Sequence, residues 1–234
     1  MTVSGSASTR NGVIFAFLAY TMWGLFPLYF KLLKAVSPVE ILSHRVIWSL
    51  AVMVVILLAK RHGAWLWALR TQPRVVGRYA VSTSLLAANW LTYIWAVNHD
   101  HVLDASLGYF INPLVVVMLA ALVLGERLRP VQWVSVALAA AGVAWLTWQA
   151  GTLPWIALAL AFSFGFYGLL RKTSPLGALE GLTLETLLLF PLALAYLGWL
   201  ASQHQNAFLA ASPGTQWLLA LAGPLTALPL LLFG

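Results

Sequence analysis

The sequence has no cysteine and few charged residues, and each shortage narrows what this protein can be. Without cysteine there is no disulfide, no thiolate nucleophile and no cysteine-based metal site. Only 8% of the 234 residues are charged, against about 25% in soluble domains. Hydrophobic residues make up 62%, and the mean hydropathy is +0.88. Such a chain cannot cover a water-facing surface, so it requires the lipid bilayer as its solvent.

Several functional classes lack their usual signatures. The net charge of +7 does not indicate a nucleic-acid partner, because Lys and Arg are scattered through short loops and not gathered on one face with aromatic residues. There is no phosphate-binding loop, so ATP-driven transport by this chain is unsupported and no cofactor is expected. Neither a Ser/His/Asp set nor a carboxylate pair indicates catalysis, so we do not expect an enzyme.

One loop gathers four potential metal ligands within six residues, at His99, Asp100, His101 and Asp104. A metal site needs fixed geometry and supporting hydrogen bonds, whereas this segment is predicted to be a wet loop outside the membrane. We therefore expect no metal there. Asp104 is instead predicted to cap the helix that follows.

Long apolar runs are what the sequence has in abundance. A spanning helix needs about 20 mainly apolar residues, and short polar or turn-forming stretches divide the chain into eight such runs. They are Gly12–Leu33, Val39–Ala59, Tyr79–Val97, Leu103–Leu124, Val131–Trp148, Leu153–Leu170, Leu179–Leu200 and Gln216–Phe233. These runs are continuously apolar rather than alternating, which excludes a transmembrane β-barrel. The predicted fold class is all-α: a polytopic transmembrane helical bundle of about eight spans.

The second span carries a start signal. Ser37 can cap a helix, Pro38 suits its first position, and Glu40 follows three residues after Ser37. In a capping box, the first and fourth residues of such a motif each bond the other's backbone N–H. We predict a capping box here and a helix that begins at Pro38.

The distribution of positive charge predicts the orientation. With alternating spans, one side holds only Lys31 and Lys34, and Arg45 lies inside a span. The opposite side holds ten cations: Arg10, Lys60, Arg61, Arg70, Arg74, Arg78, Arg127, Arg129, Arg171 and Lys172. Cytoplasmic loops carry the excess of Lys and Arg, so the N-terminus is predicted to be cytoplasmic.

Two parts of the chain echo each other at a distance of about 140 residues. Ser37-Pro38 resembles Ser174-Pro175, and the stretch Glu40–Arg45 resembles Glu180–Glu185. The unit holds five spans, an odd number, so the second copy enters the membrane from the opposite side. Inverted repeats are typical of secondary transporters, whose halves rock about a site near the midplane. We predict a first repeat of five spans at residues 1–148 and a partial second repeat of three spans at residues 152–234.

Five motifs occur in a characteristic order. They are His44-Arg45-Val46-Ile47-Trp48-Ser49, Asn89-Trp90 with Ile94-Trp95-Ala96-Val97-Asn98, Ala105-Ser106-Leu107-Gly108-Tyr109-Phe110-Ile111-Asn112-Pro113-Leu114, Leu124-Gly125-Glu126-Arg127, and Phe162-Ser163-Phe164 with Phe166-Tyr167-Gly168-Leu169. The chain thereby resembles the RarD branch of the drug/metabolite transporter superfamily, whose members carry two EamA-type repeats. The resemblance covers nearly the whole chain.

That resemblance implies a ten-helix, two-repeat carrier of the bacterial cytoplasmic (inner) membrane. It implies a permease for small organic metabolites or drugs that works by alternating access, and we expect it to be proton-linked. Only three spans of the second repeat are present, so we expect two helices to be missing, as in a fragment, a truncated gene product or a degenerate copy. The alternative is a non-transporting remnant or a membrane scaffold subunit.

Ionisable residues inside spans are the first candidates for a site, because a charge at a helix centre costs about 2.5–3.5 kcal/mol on insertion scales. His44 and Arg45 lie in the second span. They either face a central cavity, where they bind an anionic group or relay a proton, or Arg45 extends to the outer interface while His44 pairs with Glu40. Glu185 lies at the equivalent depth of the seventh span. It is a coupling carboxylate, a counter-ion to Arg45, or an interfacial carboxylate paired with a loop cation.

Amide and aromatic side chains supply the remaining candidates. Asn89 and Trp90 lie in the middle of the third span, where an amide must find a partner or a cavity. Tyr109 and Asn112 share one face of the fourth span, and Pro113 frees the carbonyl of residue 109. Broken helices often line transporter sites, so we predict that Asn112-Pro113 interrupts this span and that its neighbours contribute to a substrate or coupling site.

The fifth span is rich in small residues. They favour close packing of helices, within the chain or between two copies in a homodimer. They are Ala137, Ala139, Ala140, Ala141, Gly142 and Ala144. The expected partners are therefore the lipid bilayer, a small-molecule substrate and a second copy of the chain.

Overall fold

The computed structural model describes residues 4–63, 65–125 and 127–233. Glu126 of the fourth motif, Gly234 and the side chain of Arg10 lie outside the described residues. Within them the chain forms ten helices: α1 (Ser4–Leu32), α2 (Pro38–Ala59), α3 (Trp65–Leu69), α4 (Pro73–Asn98), α5 (Val102–Leu124), α6 (Pro130–Ala150), α7 (Trp155–Lys172), α8 (Ala178–Ser202), α9 (Ala207–Ala210) and α10 (Pro213–Phe233).

The eight helices of 18 residues or more coincide with the eight predicted spans. Among the described residues, five of them are long and apolar enough to cross a membrane, namely α2, α4, α5, α6 and α8. The predicted fold class, a polytopic helical membrane bundle, is confirmed. Two short helices, α3 and α9, were not predicted, because four or five residues are too few to show a helical period.

The start of α2 is only partly as predicted. The helix begins at Pro38 with Ser37 as its N-terminal cap residue, but the Ser37 side chain makes no capping hydrogen bond. The Glu40 carboxylate instead accepts hydrogen bonds from the backbone of Ala207 and Phe208. The predicted capping box is therefore wrong, because a tertiary partner competes for the Glu40 carboxylate.

Two local predictions about α5 are also wrong. The helix continues through Pro113 without interruption, because a proline removes a single N–H donor and the neighbouring turns keep theirs. His101, not Asp104, is the cap residue, and Asp104 accepts a hydrogen bond from His101 Nδ1 at 2.9 Å. The helix ends at Leu124, and the next residue, Gly125, caps it with a φ of 68°, a left-handed conformation that favours glycine.

The chain folds into two compact units. The first comprises Met1–Tyr79 and Pro175–Gly234. In it, α2 packs against both α8 and α10, and α10 also packs against α1. The approach of α10 to α2 is very close: a Cβ added to Gly223 would overlap the backbone carbon of Trp48.

The second unit comprises Ala80–Ser174. Its main contact is between α5 and α7, where glycines again allow close approach. A Cβ on Gly108 would lie 2.8 Å from the Ala157 carbonyl oxygen, and one on Gly165 would lie 2.8 Å from a Val115 methyl carbon. The hydrophobic core of this unit lies at the same contact and is formed by Ile111, Val115, Leu119, Ala157 and Ala161.

Helix α6 has no buried residue between Pro130 and Gln149. In the described residues, α6 makes a limited contact with α5, and Val143 packs against the core at the α5–α7 contact, but the small residues of α6 are not buried. Packing between two copies stays a prediction.

The contact at Gly223 can be tested with a single methyl group. We expect Gly223→Ala to lower the free energy of unfolding by about 1–3 kcal/mol, because the new methyl overlaps the α2 backbone. Gly198→Ala is the matched control, since Gly198 also lies in a long helix and has open space around it. The control should be neutral or stabilising by up to about 1 kcal/mol.

The measurement is thermal unfolding in detergent, followed by tryptophan fluorescence. Equal melting temperatures for Gly223→Ala and Gly198→Ala would contradict the close contact of α2 with α10.

Candidate functional site

The site residues predicted from the sequence fall into two groups, one in each unit. His44, Arg45 and Glu185 belong to the first unit. Asn89, Trp90, Tyr109 and Asn112 belong to the second unit. The first group is ionisable, whereas the second is formed by amide and aromatic side chains.

Arg45 is enclosed by protein. It is 3% exposed, and its Nε donates a hydrogen bond to the Thr226 hydroxyl of α10 at 3.0 Å. The guanidinium carbon lies 5.9 Å from the ring centre of Phe26 and 5.3 Å from that of Phe30, both on α1. These distances allow cation–π attraction. The interpretation in which Arg45 extends to the outer interface is therefore wrong.

The close contact of α2 with α10 continues one turn beyond Arg45. Ser49 donates a hydrogen bond from its hydroxyl to the Gly223 carbonyl at 3.3 Å. Residues four apart share a helix face, so Arg45 and Ser49 form a polar strip on α2 that faces α10. Gly223 brings the α10 backbone within reach of this strip.

His44 is also buried, but in an aromatic contact. It is 5% exposed, and its ring stacks on that of Phe208 at a centroid distance of 4.9 Å and an angle of 27°. Neither ring nitrogen has a hydrogen-bond partner among the described residues. The predicted pairing of His44 with Glu40 is wrong, because the Glu40 carboxylate is bonded to Ala207 and Phe208. A neutral imidazole here offers one donor and one acceptor.

Glu185 is 1% exposed and lies eight residues into α8, as Arg45 does in α2. Its neighbours Thr183 and Thr186 are buried too, and their hydroxyls bond carbonyls of their own helix. A buried carboxylate is costly unless it is paired or protonated. Whether Glu185 acts as a coupling carboxylate, a counter-ion to Arg45 or a partner of a loop cation stays a prediction.

In the second unit, Asn89 connects three helices. It is 1% exposed. Its Nδ2 donates to the Leu160 carbonyl and to the Ser163 hydroxyl of α7, both at 3.0 Å. Its Oδ1 accepts from the Tyr109 hydroxyl of α5 at 3.2 Å. The interhelical hydrogen bond that was one of the two expectations for Asn89 is thus observed.

Tyr109 carries an aromatic surface around this amide. Its ring makes edge contacts with Tyr93 at 5.5 Å and Phe164 at 6.3 Å, and the side chain is 39% exposed. Asn112 follows one turn later, and its Oδ1 is buried with no hydrogen-bond partner among the described residues. Trp90 is buried, as an interior packing residue would be. This group offers an amide acceptor beside aromatic edges.

No three His, Asp or Glu side chains in the described ranges converge on a metal-sized site. In the loop that was considered for metal binding, His101 bonds Asp104, and His99 Nδ1 contacts the Trp95 carbonyl at 2.8 Å. His99 and His101 stack on Trp95 at 4.5 and 5.7 Å.

Three residues of these groups escaped the sequence analysis. Thr226 and Phe208 are ordinary residues of an apolar span and a loop, and no local pattern connects them with Arg45 or His44. Ser163 was noted only as part of a motif. The one sequence signal for the Phe208 contact was Glu40, an acidic residue at the start of a span. Its position at the start of a helix suggested a capping role instead of a tertiary contact.

The Asn89 contacts can be tested with a double-mutant cycle. We expect Asn89→Ala to lower the free energy of unfolding by about 1–2 kcal/mol, the range found for hydrogen bonds between membrane helices. Tyr109→Phe should cost less, and the double variant should be little worse than Asn89→Ala, because both remove the same bond.

Ser84→Ala is the control on the same helix, since the exposed Ser84 hydroxyl bonds only Ala80 of its own helix. Thermal unfolding in detergent gives the four values. Additive effects of Asn89→Ala and Tyr109→Phe would contradict the shared hydrogen bond.

Comparison with known proteins confirms the family resemblance. The model of the EamA-like transporter family matches residues 10–148, which nearly coincide with the predicted first repeat. An uncharacterized transporter of Pseudomonas aeruginosa is 50% identical over 97% of this chain and 76% of its own length. The protein RarD of Streptomyces exfoliatus is 50% identical over 96% of this chain and 71% of its own.

The protein RarD of Escherichia coli is 47% identical over 96% of this chain and 76% of its own length. No solved structure matches the chain. The similarity therefore extends over both units of the fold and over the whole set of predicted site residues.

Proposed function

The chain belongs to the EamA-like transporter family and is a RarD-like member of it, and from that premise we propose that it is a proton-linked secondary transporter that moves small organic metabolites or drugs by alternating access. The observation that carries the proposal is the burial of Arg45 and His44 inside membrane helices. Ionisable residues inside a membrane are costly, and they mark substrate and ion pathways.

The helix contacts support an inverted repeat. Within the first unit, α2 packs against α8, and α10 packs against both α1 and α2. An inverted repeat with an offset of five spans makes α7, α8 and α10 the counterparts of α1, α2 and α4. The contacts of α10 with α1 and α2 then require that α4 contacts both α7 and α8. Asn89 of α4 bonds Leu160 and Ser163 of α7, and Tyr79 of α4 packs with Leu184 of α8. The repeat exchanges α2 with α8, so the contact between these two helices is its own counterpart, as expected for helices beside a two-fold axis.

The site residues divide the work by their chemistry. Arg45 supplies a permanent positive charge for an anionic group, and His44 supplies two ring nitrogens that can exchange a proton. Glu185 is the candidate carboxylate for proton coupling. In the second unit, Asn112 supplies an acceptor and Tyr109 an aromatic edge for substrate contact, and Asn89 and Trp90 hold that surface in place.

Transport is tested with proteoliposomes that contain a trapped pH-sensitive dye. We expect members of a metabolite and drug panel to drive proton flux in the wild type. Glu185→Gln and His44→Ala should each reduce the flux at least about tenfold, because a coupling or relay group is lost. Arg45→Lys should reduce it too, because Lys lacks the planar fork of Arg.

Lys60→Ala, which changes an exposed loop cation, is the control for altered charge, and thermal unfolding checks that each variant is folded. If His44→Ala, Arg45→Lys and Glu185→Gln all leave flux intact, the site assignment fails. A wild type that drives no flux with any member of the panel would refute transport by this chain and favour the scaffold alternative.

We also propose that the N-terminus is cytoplasmic, from the ten-to-two division of loop cations. The absence of cysteine permits a direct test with single cysteines. Added to intact cells, a membrane-impermeant maleimide should label Lys34→Cys and His204→Cys, and it should label Lys60→Cys only after the membrane is opened. All three positions are exposed, so accessibility within the protein is matched. Labelling of Lys60→Cys in intact cells would reverse the orientation.

A further inference from the structure

Helices α2 and α8 of the first unit run antiparallel. His62 lies just beyond the end of α2 and contacts Glu180 at the start of α8, whereas Glu40 at the start of α2 contacts Ala207 beyond the end of α8. With 22 residues, α2 is about 33 Å long. The two contacts therefore lie near opposite faces of the membrane.

At one end, Glu40 holds α9. Glu40 is 2% exposed, and its Oε1 accepts hydrogen bonds from the N–H of Ala207 at 2.7 Å and of Phe208 at 3.3 Å. The first N–H groups of a helix have no carbonyl partner within it, so the Glu40 carboxylate provides the acceptor that these N–H groups of α9 lack. Bonds to a charged acceptor are stronger than neutral ones.

Phe208 adds an aromatic contact next to this bond. It stacks on His44, which lies one turn beyond Glu40 on the same face of α2. Its backbone carbonyl is bonded by Gln216 of α10 at 2.9 Å, and Asn206 caps α9 by accepting from Leu209 N–H at 3.2 Å. The connection between α8 and α10 is thus pinned over the end of α2.

At the other end, Glu180 holds the segment that contains α3. Its Oε1 lies 2.6 Å from His62 Nε2, and its Oε2 accepts from Gly177 N–H at 2.7 Å. Leu69 of α3 packs against Leu184, one turn beyond Glu180. Both members of the Glu180–His62 pair are partly exposed to solvent.

The two ends are built alike. Glu40 and Glu180 are each the third residue of their helix, and His44 and Leu184 are each the seventh. The covering side chains, Leu69 and Phe208, come from short helices that follow the opposite partner. A carboxylate and an apolar cover one turn later therefore recur at both ends of the antiparallel pair.

We propose that Glu40 and Glu180 form two latches, one on each side of the membrane: Glu40 holds α9 against the start of α2, and Glu180, through His62, holds the segment of α3 against the start of α8. The two latches open in alternation. The proposal rests on the proposed transport function, because alternating access requires that one side opens while the other closes. In the conformation described, both latches are closed: the Glu40 latch beside a buried ring, and the Glu180 latch at a partly exposed contact. Glu40 thereby has a functional role, as the residue that holds α9.

Hydrogen–deuterium exchange of the full chain in lipid nanodiscs tests the latches directly. Glu40→Ala should speed the exchange of the Ala207 and Phe208 amides about tenfold or more, because each loses its acceptor. It should also slow exchange in α3, since releasing one latch shifts the population toward the state in which the other is shut. His62→Ala should do the reverse, and it spares the Glu180 bond to Gly177.

The controls are Val39→Ala, beside Glu40, and Lys60→Ala, near His62; neither changes a latch contact, so exchange should match the wild type. If each variant loosens only its own segment and leaves the other unchanged, the contacts are merely structural and the proposal is overturned. Unchanged exchange in both variants overturns it as well. Reciprocal exchange in a protein that drives no flux would refute transport while leaving the latches in place, so the two failures are distinguishable.

Discussion

Hydrocarbon offers no hydrogen bonds, and this constraint governs where most polar side chains within the spans can lie. A polar group inside the membrane must find its partner within the protein. Arg45 finds Thr226 and two aromatic rings, Asn89 finds Leu160, Ser163 and Tyr109, and Glu40 finds two backbone amides. Each of these bonds joins different helices, so satisfying polar groups and assembling the bundle are one process.

Close approach between helices makes these bonds reachable. Gly223 brings α10 against α2, where Ser49 and Arg45 then reach α10 acceptors. Gly108 does the same for α5 and α7, and its neighbour Tyr109 reaches Asn89. Without a hydrophobic driving force between helices in lipid, such packing supplies much of the association energy. The small residues therefore serve the functional groups as well as the fold.

Long-range sequence patterns predicted the helices well, and local ones predicted their details poorly. The second span was placed at Val39–Ala59 and is observed at Pro38–Ala59, because hydropathy over 20 residues averages out local exceptions. The capping box at Glu40, the break at Pro113 and the cap at Asp104 all failed. Each was inferred from three or four neighbouring residues, and each was overridden by a partner or by the continuing helix.

The sequence by itself determined that the protein lies in a lipid bilayer, its helical class, the extent of its long helices and its family. These properties follow from composition and from ordered motifs along the chain. It also pointed to ionisable residues that the structure buries, His44, Arg45 and Glu185, since a charge within an apolar run is conspicuous. Only the tertiary structure decided their partners: Thr226 for Arg45, Phe208 for His44, and α9 for Glu40. The partner of a buried polar group is whichever helix packing brings within 3 Å or so, and no local pattern records that proximity.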